Sequence, residues 1–141
     1  MNNKIEITVD VIVHATEDIS KIFQAFEVFD LKKEDFVVNH TTGHFENPIT
    51  MLTVKINKKK ACQFMEKLLV ILSAEQINEL VEEIEERTIN SRFHMRLDKQ
   101  ELIKENLVLR EKDTVKIKIH TPIYNKKDTV KSFTEIFQIV N

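Results

Sequence analysis

Apolar and polar residues alternate near the start of the chain, where Ile5, Ile7, Val9, Val11 and Val13 are separated by Glu6, Thr8 and Asp10. A period of two sends successive side chains to opposite faces, so this segment predicts a strand with one buried face. The period then changes. Ile19, Ile22, Phe23 and Phe26 recur at helical spacing behind Thr16, the predicted cap, and Glu17 and Asp18 suit the positive end of a helix that ends near Phe29. Residues 36–39 predict a second strand, His40 to Pro48 a long turn, and Ile49 to Ile56 a third strand. Ala61, Phe64, Met65, Leu68, Leu69 and Leu72 mark a second helix. Ser73 and Gln76 form a capping box for a third, which buries Ile77, Leu80, Val81 and Ile84.

Two late segments share one design. Phe93, Met95 and Leu97 alternate with Arg92, His94 and Arg96, as Val115, Ile117 and Ile119 do with Lys116, Lys118 and His120. Between them Asp98 to Lys104 predicts a short helix and Leu107 to Leu109 a short strand. Val130, Phe133, Phe137 and Val140 predict a terminal helix, so residues 125–141 read as a C-terminal helical extension of a single domain. The order of elements predicts an α+β fold, with a mainly antiparallel sheet and helices packed on one face.

Composition removes several kinds of chemistry. Gly43 is the only glycine, so neither a dinucleotide fingerprint nor a P-loop can be written. Cys62 is the only cysteine, which excludes intramolecular disulfides and multi-thiolate zinc sites; it reads as a small core residue. The longest apolar run, Leu68 to Leu72, is far short of a bilayer span, and a cytoplasmic protein without a targeting segment is expected. No cofactor is implied. His40 and His44 are close in sequence but fall in the predicted turn, which fixes no metal geometry. His14, Glu17 and Asp18 could support hydrolysis, yet those carboxylates equally suit a helix start, and a non-enzyme is expected.

Charge is nearly balanced overall, with 21 Lys and Arg against 23 Asp and Glu, but it is polarised along the chain. The balance is −1 over residues 1–60, −5 over 61–91 and +4 over 92–141. Periodicity places Arg92 and Arg96, like Lys116 and Lys118, on the non-core faces of their strands, and Lys55 could join them. Two readings stay open: cross-strand pairing with Glu6 and Asp10, which composition alone favours, or a surface that binds phosphates. A protein-interaction role is the competitor. It would use the acidic helix carrying Glu79, Glu82, Glu83, Glu85 and Glu86, together with the apolar stripe from Phe133 to Val140.

Three segments form a recognisable set: His14-Ala15-Thr16-Glu17-Asp18, Thr42-Gly43-His44-Phe45-Glu46-Asn47-Pro48-Ile49, and Phe93-His94-Met95-Arg96-Leu97-Asp98-Lys99-Gln100. In order and spacing they resemble the archaeal RNA-binding protein family described as predicted exosome subunits. The resemblance runs from about Ile5 to His120 and departs at Glu46, where the family often has a second glycine. It implies a fold similar to the ribosomal protein that binds 5S ribosomal RNA, RNA as partner, and association with RNA processing, with the exosome as a possible assembly. Carried over, the family pattern falls on Gly43, His44, Asn47, Pro48, Arg96, Asp98, Lys99 and Gln100. Gly43 would supply a positive φ and Asn47-Pro48 would shape the turn, whereas His44 is a candidate base or phosphate contact. Arg96 could grip a phosphate or pair with Asp98, and Lys99 and Gln100 could contact RNA or only open the short helix. The expected RNA contacts are therefore Lys55, Arg92, Arg96, Lys99, Lys116, Lys118, His44 and Gln100.

Overall fold

The alternation that begins at Ile5 becomes β1 (Glu6–His14), whose Ile7, Val9, Val11 and Val13 are buried while the intervening residues are not. The computed structural model describes residues 4–138, apart from the side chain of His44. Next come α1 (Ile19–Phe26), β2 (Val37–Thr42), β3 (Pro48–Asn57), α2 (Lys58–Ile71), α3 (Ala74–Glu82) and α4 (Ile84–Arg87). The remainder is β4 (Thr88–Ile89), β5 (Arg92–Asp98), α5 (Lys99–Ile103), β6 (Thr114–His120) and α6 (Thr129–Phe137). The six strands form an antiparallel sheet in the order β2-β3-β1-β6-β5-β4. The architecture is α+β, as the order of elements predicts. Among the described residues no helix is long and apolar enough to cross a membrane.

The chain clusters into two compact units. Within the described residues, one holds 4–7, 56–95 and 118–138, and the other holds Thr8–Lys55 and Arg96–Ile117. In the first, Phe93 meets Phe133 and Phe137 at ring-centroid distances of 5.6 and 5.0 Å, among buried Phe64, Met65, Leu68 and Leu80. In the second, Phe36 packs on Phe23 and Phe26 at 5.5 and 5.3 Å, under buried Val9, Val11, Leu52, Val54 and Val115. Fully burying such side chains is the main favourable contribution to folding, about 1.5–3 kcal/mol each.

Local chemistry sets the element ends, and it differs from expectation in several places. Asp18, not Thr16, caps α1: its Oδ1 accepts from the Ser20 N–H at 3.0 Å and the Ser20 hydroxyl at 2.6 Å. The hydroxyl bond first, and the N–H bond next, hold its carboxyl below the ordinary carboxylate range. The Ser73–Gln76 box is present, with reciprocal bonds of 3.1 and 2.9 Å. The helix it opens stops at Glu83 (φ −100°, ψ 14°), so Ile84 belongs to α4 and the acidic face is broken. Leu107 to Leu109 form no strand; only an isolated bridge joins Leu109 to Leu97. Strand β4 escapes sequence reading because its turn to β5, Asn90-Ser91, lacks glycine although both residues have positive φ (51° and 65°).

His40 to Thr42 continue β2 instead of entering a turn, paired with Thr50, Ile49 and Pro48 of β3. The connection is tight, and Gly43 N–H donates to the Asn47 carbonyl at 2.7 Å. Gly43 does not carry the expected positive φ; Phe45 (58°) and Glu46 (59°) do. Left-handed backbone is strained for any residue with a Cβ, so the turn has its glycine where none is needed and glutamate where one would help. Glu46→Gly should raise stability by about 0.5–1 kcal/mol. Gly43→Ala should change it little, because an added Cβ would meet Ile49 Cγ2 at an ordinary 3.4 Å. Urea midpoints of the two variants check the pair.

Candidate nucleic-acid interface

The clearest polar construction joins two of the three motif segments. Lys99 opens α5 but is buried at 2% exposure. Its Nζ donates to the Ile12 carbonyl and Glu17 Oε1, each at 2.8 Å, and lies 2.9 Å from Asp113 Oδ1. Three acceptors match the three ammonium protons. Glu17 in turn accepts from the His14 N–H and from Gln100 Nε2, both at 2.8 Å. His14 Nε2 stands 3.9 Å from Asp113, an ion pair only when the imidazole is protonated. The expectation that Lys99 contacts RNA is thereby corrected, since its ammonium is enclosed and engaged within the chain. Gln100 remains exposed, with its amide committed to Glu17.

Around this network lies a charged surface in the unit formed by Thr8–Lys55 and Arg96–Ile117. Lys55 on β3 and Lys116 on β6 are exposed and carry no ion pair among the described residues. Only β1 separates their strands, so the strands lie about 10 Å apart. Arg96 pairs with Glu111 through Nη1 at 3.0 Å, while its buried Nε has no hydrogen-bond partner among the described residues. Asp98 is not its partner. Asp98 Oδ2 meets Arg110 Nε at 2.8 Å and Asp98 Oδ1 accepts from the Glu101 N–H, capping α5. Arg110, 58% exposed, sits beside Arg96, because its N–H donates to the Arg96 carbonyl at 3.2 Å. Sequence reading does not single out Arg110; its signal is the cation excess after residue 92, without a period to place it.

The other unit holds Arg92, exposed with Nη1 3.3 Å from the Asn90 carbonyl, and half-buried Lys118, which is engaged within the chain. His120 Nδ1 lies 3.9 Å from Glu6 Oε2, an ion pair only when the imidazole is protonated, and has no hydrogen-bond partner among the described residues. The side chain of His44 lies outside the described residues; its backbone leads into the left-handed Phe45-Glu46 turn. His40 Nδ1 is 3.1 Å from Thr50 Oγ1. Among the described residues no three His, Cys, Asp or Glu side chains are grouped to hold a metal. Burial pushes the Cys62 thiol up, away from reactive thiolate.

Fold and surface together define an α+β protein with exposed lysines and arginines on a sheet that buries its other face. A family model described as RNA binding matches residues 6–121, and the chain belongs to that family. An uncharacterised protein of Methanocaldococcus jannaschii is 33% identical over 89% of this chain and 91% of its own length. The protein named RNA-binding protein PAB1135 of Pyrococcus abyssi is 31% identical over 87% of this chain and 86% of its own. Among solved structures, a Sulfolobus solfataricus protein superposes with a TM-score of 0.75 at 27% identity, covering 96% of this chain and 97% of that one. One from Methanothermobacter thermautotrophicus gives 0.73 at 25%, covering 94% and 96%.

Proposed function

We propose that this protein binds RNA through its phosphate backbone, without catalysis of its own, using Lys55, Arg96, Arg110 and Lys116. The carrying observation is that Lys55 and Lys116 are exposed without carboxylate partners among the described residues, in the same compact unit as Arg96 and Arg110, whose ion pairs with Glu111 and Asp98 each engage one guanidinium nitrogen. A guanidinium has five donors, so those pairs leave capacity for phosphate oxygens. The Arg96–Glu111 pair is exposed on both sides and worth only about 0–1 kcal/mol, so RNA can exchange it at little loss. Family membership and the name of the Pyrococcus abyssi relative support RNA as the polyanion. Association with an exosome adds a protein partner to the proposal and rests on the motif resemblance.

Binding of this kind releases counterions, and each phosphate contact to single-stranded RNA contributes about −0.7 to the slope of log affinity against log salt. Replacing Lys55 and Lys116 together by alanine should make that slope shallower by about 1.4, and weaken all sequences alike. Fluorescence-anisotropy titrations at several salt concentrations measure it. An unchanged slope would remove this surface from the interface. Protein that co-purifies after nuclease treatment would test the exosome association, and metal-dependent cleavage of labelled RNA would overturn the non-catalytic reading.

A further inference from the structure

In the unit that carries α6, a cavity of about 570 Å³ lies between the Asn90-Ser91 turn and the start of that helix. That volume falls within the range of small-ligand sites. Lys126, Lys127 and Glu85 line it, and none of the three has an ion pair among the described residues. Asp128, next along the chain, does not line the cavity. Exposed charges of both signs around one concavity suit a ligand with an anionic end and a hydrogen-bond-donating end. Ile123 and Val130 supply apolar lining. Tyr124, 89% exposed, follows Ile123 directly, where an aromatic face is available to stack on a neighbouring base. Ser91 also lines the cavity, with φ 65°.

We propose that this cavity is a subsite for a guanosine monophosphate unit, with its phosphate on Lys126 and Lys127 and its base edge on Glu85. A carboxylate only accepts hydrogen bonds, and guanine alone among the RNA bases presents two adjacent donors, N1–H and the N2 amino group, on its Watson–Crick edge. The subsite extends the RNA-binding reading to a base preference and rests on that reading only for its biological ligand. The unit can arrive as free nucleotide or as a residue of single-stranded RNA.

Amide NMR titration with guanosine 5′-monophosphate should give saturable shifts at Asn90, Ser91 and Val130, with uridine 5′-monophosphate about tenfold weaker for want of the paired donors. Lys126→Ala with Lys127→Ala should abolish the shifts, and Glu85→Gln should abolish the preference while keeping phosphate-driven binding. Silent amides, equal affinities for the two nucleotides, or an unaltered lysine variant would each overturn the subsite. Tighter binding of a uridine oligonucleotide containing one guanosine than of the mononucleotide would identify RNA as the source, and equal binding free nucleotide. The Lys55 and Lys116 double variant separates the two proposals. It should lose RNA affinity yet retain the guanosine monophosphate response.

Discussion

Replacing Lys99 by methionine should destabilise the protein by about 3–5 kcal/mol, the range for removing one partner from a buried ion pair. Methionine nearly preserves the length and apolar character of the lysine stem, so the loss would come from the ammonium. Without it the Ile12 carbonyl and Glu17 Oε1 lose a donor at 2.8 Å, and the Glu17 carboxylate is only 15% exposed. Asp113 is 54% exposed, so water screens its loss and it adds little. Adding Glu17→Gln to Lys99→Met should recover part of the stability by removing the stranded charge, and a double-mutant cycle by urea denaturation measures this coupling. A loss under 1 kcal/mol would show that the network is not a stabilising unit. Where the Lys99 variant is still folded, its salt slope for RNA should match that of the parent, in contrast to Lys116.

This lysine also shows where a sequence stops being informative. Its two closest acceptors lie 87 and 82 residues earlier, so nothing local separates it from a surface cation opening a helix. By contrast, the face of Arg96 and Lys116 was legible because strand geometry assigns alternate residues to opposite sides with no reference to distant chain. Capping followed the same division. The Ser73 box is complete within four residues and the structure contains it, whereas at α1 the pattern points to Thr16 and the backbone places the cap two residues later, at Asp18. Turns without glycine were the blind spot: Asn90-Ser91 and Phe45-Glu46 adopt left-handed backbone with residues that do not announce it. Among the motif residues, Glu17, Asp98, Lys99 and Gln100 act together in fixing the polar network and the start of α5. A motif belonging to an RNA-binding family therefore includes residues whose work here is structural, and Arg110 outside the expected contact set enters the proposed surface.

Phe133→Ala should cost about 3–5 kcal/mol, comparable to Lys99→Met but through packing alone. Phe133 is fully buried, and its ring lies 5.6 Å from Phe93, which itself meets Phe137 edge-on at 5.0 Å. Truncation removes apolar area and leaves a cavity that Phe93 cannot fill without leaving Phe137, so transfer and cavity terms add. The same side chain decides the protein-interaction alternative, which needs the stripe beginning at Phe133 to be available to another chain. Phe133 and Phe137 are instead covered by their own core, while Val140 lies outside the described residues. If the stripe were a docking surface, Phe133→Ala would leave the urea midpoint unchanged and abolish capture of a partner after nuclease treatment. The structure demands the reverse: a large fall in the midpoint, with Phe133→Leu losing much less because it keeps most of the buried volume.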